Sequence, residues 1–245
     1  MKTIRRINLI IAGIKLFKDW PLWILSRFHL LKKSGLGKFR LRNGTEFIID
    51  FSHNNLGTFQ EIWLMDVYQK NRRLKPSDIV VDIGASFGAF SVLAAKQGAK
   101  VYAYEPTPRS FELLVKNTEI YGVKAYNLAV AGKTGLAELF SSGGDEGNSL
   151  IPQLAPSQSF KVKTTTLNDI LDQIGHCDFL KIDCEGGEID ILKNTLTKTF
   201  NQIDYIVLEY HRNLPEVLDL FKSKNYEVTF HGNDYGYLFA QKPKK

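Results

Sequence analysis

Short, almost wholly apolar runs alternate with amphipathic segments from residue 79 onward, and this alternation constrains the fold more than any other feature. Runs of this kind are typical of strands that are buried on both faces of a parallel sheet. We predict such strands at residues 79–83, 100–105, 123–131, 179–183 and 205–210. Helices are predicted after four of them, at residues 89–97, 108–121, 188–194 and 215–223. The pattern indicates an α/β fold with a doubly wound, mostly parallel sheet.

The last part of the pattern differs, because two strand-like segments at residues 226–230 and 237–241 follow one another closely. About six residues separate them, whereas a parallel crossover needs a dozen or more. We therefore predict that a C-terminal antiparallel hairpin closes the sheet. An irregular stretch at residues 141–159 precedes residues 162–166, which are predicted to be an edge strand.

Residues 1–75 do not follow the alternation, and we predict that they are an extension of an α/β domain at residues 76–245. Asn43-Gly44 lies between two alternating runs, which indicates a hairpin. Residues 56–72 are predicted to form a helix.

The basic charge of the chain is concentrated near its N-terminus. Residues 1–50 contain 11 Lys or Arg and 3 Asp or Glu, a charge of +8, whereas the whole chain has a formal net charge of +6. The rest of the chain therefore carries −2, and we predict no nucleic-acid partner. The oligomeric state cannot be predicted from these features.

An amphipathic helix is predicted within residues 1–30, with one apolar face formed by Ile4, Ile7, Ile11 and Ile14. Either this face packs on the domain at residues 76–245, or the segment lies on an anionic membrane surface, since aromatic residues follow it. Lys15 and Lys18 interrupt the apolar run, so no signal peptide is predicted. The only cysteines, Cys177 and Cys184, form no disulfide or metal pattern. We expect a cytoplasmic protein, with peripheral membrane contact left open.

A glycine-rich turn follows the first buried strand, in the sequence DIGASFG at residues 82–88. Glycine allows a tight turn and lets a ligand approach the backbone, and the start of the next helix offers free N–H groups. We predict that this turn holds the amino-acid end of a cofactor. The residues predicted to bind it are Asp82, Gly84, Ala85, Ser86 and Gly88.

Glu105 ends the next strand, 23 residues after Asp82. A carboxylate at this point of such a fold accepts hydrogen bonds from ribose hydroxyls. Pro106, which follows it, is also predicted to lie at the cofactor. Residues 127–129 are placed near the adenine, and Ala129 is predicted to contact it.

Two other interpretations of the turn stay open. The sequence GASFG at residues 84–88 fits the serine-hydrolase pattern G-x-S-x-G, with Ser86 as the nucleophile. A nicotinamide-binding turn would read G-x-G-x-x-G, which Ser86 interrupts. Neither interpretation gives a role to both Asp82 and Glu105.

Three acids lie close together where the fourth parallel strand ends, in the sequence LKIDCEGGE at residues 180–188. Crowded carboxylates are costly without a partner, and they are common where protons or cations are handled. We predict Asp183 and Glu185 as catalytic residues. Glu188 is either a functional residue or a cap of the next helix.

His211 follows Glu209 and Tyr210 at the end of the fifth strand. Histidine titrates near neutral pH, so a histidine at this sheet edge is a candidate general base. We therefore predict His211 as the third catalytic residue.

Together these motifs resemble the FkbM-like methyltransferases. The resemblance rests on five segments, DIGASFG at 82–88, YEP at 104–106, NLAV at 127–130, LKIDCEGGE at 180–188 and VLE at 207–209. It covers about residues 40–241 and implies a Rossmann-like fold with S-adenosyl-L-methionine as methyl donor. Residues 1–37 fall outside it, and the family commonly has Asn where this chain has Ser86.

The resemblance implies O-methylation of a hydroxyl on a sugar, a glycan or a small natural product. Asp183, Glu185 or His211 would orient and deprotonate that hydroxyl, with Asp183 also beside the cofactor. Residues 148–149 are predicted to form part of a lid. No metal site is predicted, although clustered carboxylates also suit Mg²⁺. The alternative to an enzyme is a non-catalytic nucleotide-binding or membrane-associated module.

Overall fold

The computed structural model describes residues 2–53, 55–141, 149–150, 158–211 and 214–243. The chain divides into two compact units, Met1–Val67 and Tyr68–Lys245. The domain boundary at residue 75 stays a prediction. Within the described ranges, no helix is both long enough and apolar enough to cross a membrane.

In the described part of the first unit, the α-helices and the hairpin strands are α1 (Lys2–Leu16), α2 (Trp20–Arg27), β1 (Leu36–Arg40), β2 (Glu46–Asp50) and α3 (Asn55–Phe59). Strands β1 and β2 pair antiparallel, as the Asn43-Gly44 turn predicts. The predicted helix at residues 56–72 is wrong in its length. The α-helix gives way to a π-helical turn at Gln60–Leu64, and Asp66 then adopts a φ of 53°. A left-handed residue cannot continue a right-handed helix.

Aromatic rings form the core of the first unit. The ring centroids of Phe17 and Phe39 lie 5.2 Å apart, those of Phe39 and Phe59 4.9 Å, and those of Phe47 and Phe59 4.7 Å. All four side chains are fully buried. Gly13 lies so close to the Trp23 ring that a Cβ atom would approach it to 2.3 Å, so α1 and α2 pack through these two residues.

The second unit continues in chain order with β3 (Ile79–Ile83), α4 (Ala89–Lys96), β4 (Lys100–Tyr104), α5 (Pro108–Thr118), β5 (Lys124–Tyr126), β6 (Ala129–Val130), β7 (Gly135–Ser141), β8 (Gln158–Thr165), α6 (Leu167–Ile174), β9 (Phe179–Ile182), α7 (Glu188–Asn194), α8 (Thr197–Phe200), β10 (Tyr205–His211), α9 (Leu214–Ser223), β11 (Glu227–Gly232) and β12 (Tyr235–Gln241). Its main sheet has the order β11-β12-β10-β9-β3-β4-β5. Strands β3, β4, β5, β9 and β10 run parallel, and β12 runs antiparallel to both β10 and β11. These pairings confirm the predicted doubly wound sheet and its C-terminal hairpin.

Two strand predictions are wrong. The predicted third strand at residues 123–131 is two strands, because the chain leaves the main sheet after Tyr126. The predicted edge strand at residues 162–166 is part of β8, which belongs to a separate three-stranded sheet of order β6-β8-β7. The chain leaves the main sheet at Asn127, whose Nδ2 atom donates to the carbonyls of Glu105 and Pro106 and stabilises the turn.

Strands β3 and β9 are neighbours in the main sheet, and the chain order reverses between them. Such a switch point opens a crevice at the carboxyl ends of the strands, where ligands bind in α/β folds. The turn after β3 and the acids after β9 therefore share one crevice.

Candidate active site

The turn after β3 is pressed against the segment that follows β9. Gly84 has a φ of 75°, and a Cβ atom at this position would lie 1.7 Å from the carbonyl oxygen of Asp183. Ser86 and Gly88 also have positive φ values, of 50° and 91°. Glycine at position 84 is required both by the backbone conformation and by the close approach. The turn and Asp183 consequently form one rigid piece of the crevice.

Glu105 lies beside this turn and is almost fully buried. Its Oε2 atom accepts a hydrogen bond of 2.9 Å from the Ser86 N–H, and its Oε1 atom accepts one of 2.8 Å from the Thr107 N–H. Burial raises the pKa of Glu105, although the N–H groups of Thr107 and Ser86 act against this shift. The Thr107 side chain also hydrogen-bonds to this carboxylate, whose two oxygens together offer about four acceptor positions, so acceptor capacity remains for a ribose hydroxyl. The residues present therefore fit a ribose.

Asp82 is fully buried, and both of its carboxylate oxygens are engaged within the protein. Oδ2 accepts a 2.7 Å hydrogen bond from the Ser91 hydroxyl, and Oδ1 accepts one of 3.0 Å from Lys181 Nζ. Lys181 Nζ also donates to the carbonyl oxygen of Gly84 at 3.0 Å. Asp82 thus stabilises the turn through Lys181.

Lys181 is a site residue to which the sequence analysis assigns no role. Burial alone lowers the pKa of Lys181, but the charges of Asp82 and Asp183 outweigh it and raise the pKa above its usual range. The sequence feature that could have revealed its role is a lysine inside an apolar strand. A buried lysine needs a charged partner, so an acid is expected beside it.

Asp183 is held by two buried side chains. Tyr68 donates a hydrogen bond of 2.7 Å to Asp183 Oδ2, and Lys181 Nζ lies 3.6 Å from the same oxygen. The Tyr68 hydroxyl also lies 3.5 Å from Glu209 Oε2. The Asp183 side chain is 22% exposed, whereas that of Lys181 is 3% exposed and that of Asp82 is fully buried. Within this group of three side chains, the Asp183 carboxylate is therefore the most exposed.

Tyr68 is a second residue that the sequence analysis misses. Burial, together with the negative charges of Asp183 and Glu209, raises the pKa of Tyr68 well above its usual range. The hydroxyl therefore stays protonated and remains a donor. Its partner is 115 positions away along the chain, so no local signal connects the two residues.

His211 lies between two of the predicted acids. Its Nε2 atom is 3.4 Å from Glu185 Oε2, and its Nδ1 atom is 3.5 Å from Glu188 Oε1. The contact between His211 Nδ1 and Glu188 Oε1 is long enough to count as an ion pair and does not have hydrogen-bond geometry. The proximity of Glu188, together with the charge of Glu185, raises the pKa of His211 to about 9 despite partial burial. His211 is therefore mainly protonated at neutral pH, a state that cannot accept a proton.

Glu188 is buried at the start of α7. Its Oε1 atom accepts hydrogen bonds from the N–H groups of Cys184, at 3.3 Å, and Gly186, at 2.9 Å. This arrangement fits the alternative in which Glu188 organises the start of the helix. Glu185 is exposed and has a φ of 55°.

The segment after β5 was predicted to continue the strand to residue 131, but it turns at Asn127 and enters the three-stranded sheet. Asn127 donates to the carbonyl oxygens of Glu105 and Pro106, at 2.9 and 3.0 Å. Ala129 begins β6 and is buried in a cluster with Leu139 and Val162. The contact of Ala129 with the adenine stays a prediction, as does that of Pro106. Of the predicted lid, Asn148 lies outside the described residues, whereas Ser149 is buried and pairs with Phe140.

A group of metal-ligand type lies elsewhere in the part of the chain that the structure describes. One donor atom each of His176, Asp178 and Asp204 lie within 4.8 Å of one another. These residues precede β9 and β10, so they lie at the edge of the sheet opposite the crevice. In the crevice, Asp183 faces Tyr68 and Lys181.

Comparison with known proteins decides between the interpretations of this crevice. Residues 82–228 match the family described as the methyltransferase FkbM domain. The chain belongs to this family. FkbM proteins are S-adenosylmethionine-dependent methyltransferases, which confirms the cofactor that the resemblance implies. This FkbM assignment also decides against Ser86 as a hydrolase nucleophile.

Two curated relatives of this FkbM chain are methyltransferases. The 31-O-demethyl-FK506 methyltransferase FkbM of Streptomyces tacrolimicus is 26% identical over 235 residues, which cover 78% of this chain and 88% of that protein. The hexuronic acid methyltransferase AglP of Haloferax volcanii is 24% identical over 143 residues, which cover 55% of this chain. The match spans just over half, 56%, of AglP.

Solved structures similar to this FkbM chain include Sp1610 of Streptococcus pneumoniae, a putative tRNA (m1A22) methyltransferase in complex with S-adenosyl-L-methionine. Its sequence identity to this chain is 11%, and the TM-score is 0.45. The match covers 70% of this chain and 69% of that one.

Proposed function

We propose that this FkbM protein methylates a hydroxyl group on a sugar, a glycan or a small natural product. The observation that carries this proposal is the partly exposed carboxylate of Asp183, which Tyr68 and Lys181 hold beside the glycine turn. A hydroxyl needs a partner that orients it and takes its proton during methyl transfer, and a fixed carboxylate does both. The printed names of the two relatives, a hexuronic acid methyltransferase and an O-demethyl-FK506 methyltransferase, support this class of acceptor.

Glu105 and the turn at residues 84–88 are proposed to hold the cofactor. The Glu105 carboxylate accepts hydrogen bonds from the ribose hydroxyls. The glycines of the turn leave room for the methionine end of the cofactor, and the N–H groups donate hydrogen bonds to it. Asp82 is proposed to stabilise the turn rather than contact the cofactor, because Ser91 and Lys181 already donate to its two oxygens. When bound, S-adenosylmethionine supplies a methyl group that is activated by its positively charged sulfur.

Asp183 is proposed to be the general base. Its carboxylate accepts the proton of the acceptor hydroxyl while that oxygen forms a bond to the methyl carbon and the bond from carbon to sulfur breaks. Tyr68 and Lys181 fix the orientation of the carboxylate throughout. His211 serves as a cation that holds Glu185 and Glu188, since it is protonated at neutral pH.

The proposal is tested by methyl transfer from radiolabelled S-adenosylmethionine to a panel of hexoses, hexuronic acids and polyketide alcohols. Products are separated and identified by mass spectrometry and by NMR of the new methoxy group. We expect a base-stable methyl ether from at least one hydroxylated acceptor. We also expect Asp183→Asn to bind S-adenosylmethionine normally while it loses most of its turnover.

Two results would contradict the proposal. A methyl ester on a uronic acid carboxylate would exclude hydroxyl methylation of that acceptor. Full turnover by Asp183→Asn, measured alongside the exposed control Asp172→Asn, would exclude Asp183 as the base.

A further inference from the structure

Exposed apolar side chains are concentrated at the start of the chain. Thirteen large hydrophobic residues are exposed in the part of the chain whose side chains are described, and six of them lie within residues 7–36. Their exposed fractions are 51% for Ile7, 46% for Ile11, 39% for Leu25, 57% for Phe28, 63% for Leu30 and 56% for Leu36. Single exposed apolar residues are ordinary, whereas contiguous apolar patches mark interaction surfaces, so six exposed apolar side chains within thirty residues of chain define the candidate surface to test. We call these six residues the amino-terminal apolar surface.

The exposure follows from how the two helices pack. Gly13 on α1 faces the buried Trp23 ring on α2, so each helix uses that side for its partner. Ile7 and Ile11 are one helical turn apart on α1 and remain exposed. Leu25 and Phe28 are three positions apart at the end of α2 and remain exposed as well.

The charges around this surface are positive. Lys15, Lys18 and Lys32 have exposed side chains. The three acids of residues 1–50 do not offset them. Asp19 pairs with Arg40 at 2.7 Å, Glu46 pairs with Lys38 at 2.6 Å, and Asp50 is fully buried. The segment therefore presents apolar side chains together with a net positive field.

We propose that the amino-terminal apolar surface docks on an anionic lipid bilayer. Apolar side chains of this kind enter the boundary between headgroups and acyl chains, while lysines contact anionic headgroups. Lysines near such a surface are attracted to its negative potential, and the attraction is screened by salt. A second copy of the chain is a poorer occupant, because lysines are depleted from protein interfaces and the charges of the two copies would repel.

The test is co-sedimentation of the full chain with vesicles of phosphatidylcholine, with and without phosphatidylglycerol. We expect binding to the anionic vesicles at low salt, weak binding to the neutral ones, and release at high salt. Ile7→Gln with Ile11→Gln should weaken the binding roughly tenfold, and Lys15→Gln with Lys18→Gln should do the same. The matched control is Ile120→Gln, since Ile120 is 81% exposed in the second unit. It should bind as the wild type does.

Three outcomes would overturn the proposal. One is that the wild type does not sediment with anionic vesicles at low salt. Another is that both double variants bind as well as the control. The third is that ultracentrifugation shows a dimer, without vesicle binding, that the isoleucine double variant loses. Circular dichroism spectra establish that each variant is folded, and the lysine variant tests the charge requirement even if the isoleucine variant misfolds.

Discussion

The hydroxyl of Tyr68 donates a hydrogen bond of 2.7 Å to Asp183 Oδ2 and thereby fixes the carboxylate that lies at the open end of the crevice. The Tyr68 ring is held independently of this bond, because it packs edge-on against Phe90 and Tyr237 at centroid distances of 5.4 and 5.7 Å. The hydroxyl is therefore presented to Asp183 by a ring that is already in place. Because the ring is already in place, we expect loss of the hydroxyl to affect turnover if Asp183 is the general base.

Tyr68→Phe should lower kcat about tenfold, because it removes a donor to a carboxylate while it keeps the ring. The Kd for S-adenosylmethionine should stay within about twofold, and the free energy of unfolding should fall by about 1 kcal/mol. Steady-state kinetics and titration calorimetry measure the two effects. A variant that loses cofactor binding in proportion to kcat would show that Tyr68 supports the cofactor instead.

Gly84→Ala should lower the free energy of unfolding by more than about 3 kcal/mol and abolish activity, because its Cβ atom meets the backbone of Asp183. The matched control is Gly122→Ala. Gly122 has a similar φ of 69°, but nothing lies within 4 Å of its Cβ position, so only the backbone strain of about 1 kcal/mol remains. Urea denaturation compares them, and equal losses would mean that the close approach to Asp183 does not matter.

Glu105→Gln should weaken the binding of S-adenosylmethionine by about tenfold to a hundredfold. The amide has one acceptor oxygen in place of two, and its NH₂ group faces a backbone N–H. Glu112→Gln, on the exposed face of α5, is the control and should bind normally. Calorimetry with S-adenosylmethionine gives both constants. Unchanged affinity in a folded Glu105→Gln protein would remove the ribose role.

Lys181→Met should cost about 3 kcal/mol of unfolding free energy, because it leaves the fully buried Asp82 without its ion-pair partner. Lys198→Met removes the partner of Asp172 at the same distance of 3.0 Å, but both of those side chains are more than half exposed. That control should cost under about 1 kcal/mol. If the two substitutions cost the same, the buried pair does not stabilise the turn.

The pKa of His211, raised from 6.5 to about 9, sets a pH window for its contribution to stability. The folded protein holds the proton more tightly than the unfolded chain does. The stabilisation is therefore fully present below about pH 6.5 and is lost as the pH rises through about 9. We expect His211→Gln to be about 1 to 2 kcal/mol less stable than the wild type near pH 6, and the difference to shrink by about pH 10. Denaturation curves across this range measure it.

The same substitution separates the two candidate bases. If Asp183 is the base, the turnover of the wild type does not follow the titration of His211. A rise in kcat between about pH 7 and 9 that His211→Gln abolishes would assign the base to His211 and contradict the proposed mechanism.

Features with a local sequence signal were predicted from the sequence. The buried strands follow from continuous apolar runs, and the final hairpin follows from a connection too short for a crossover. The position of Glu105 beside the turn was predicted because an acid at the end of the second strand of such a fold lies about twenty residues after the turn, and its ribose role stays a prediction. Helix α6 was not predicted, although Thr166 and Asp169 form a capping box at its start.

Features that depend on contacts between residues distant in the sequence had no local sequence signal. The three-stranded sheet pairs β7 with β8 across a connection that is irregular in sequence. The group of Tyr68, Lys181 and Asp183 arises because β3 and β9 are neighbours and Tyr68 packs over them. The pKa of His211 could not be predicted either, because it depends on two acids that lie more than twenty positions earlier.

The placement of β12 between β10 and β11 has a consequence for the order in which the sheet assembles. Strand β11 precedes β12 in the chain but contacts the sheet only through it. The edge of β10 therefore stays unpaired until β12, the later strand of the hairpin, docks against it. During that interval β10 is an open edge of seven residues, six of which are buried in the folded protein, and such an edge recruits strands from other chains. Newly made chains of this protein are thus most prone to aggregate in the interval before the hairpin docks.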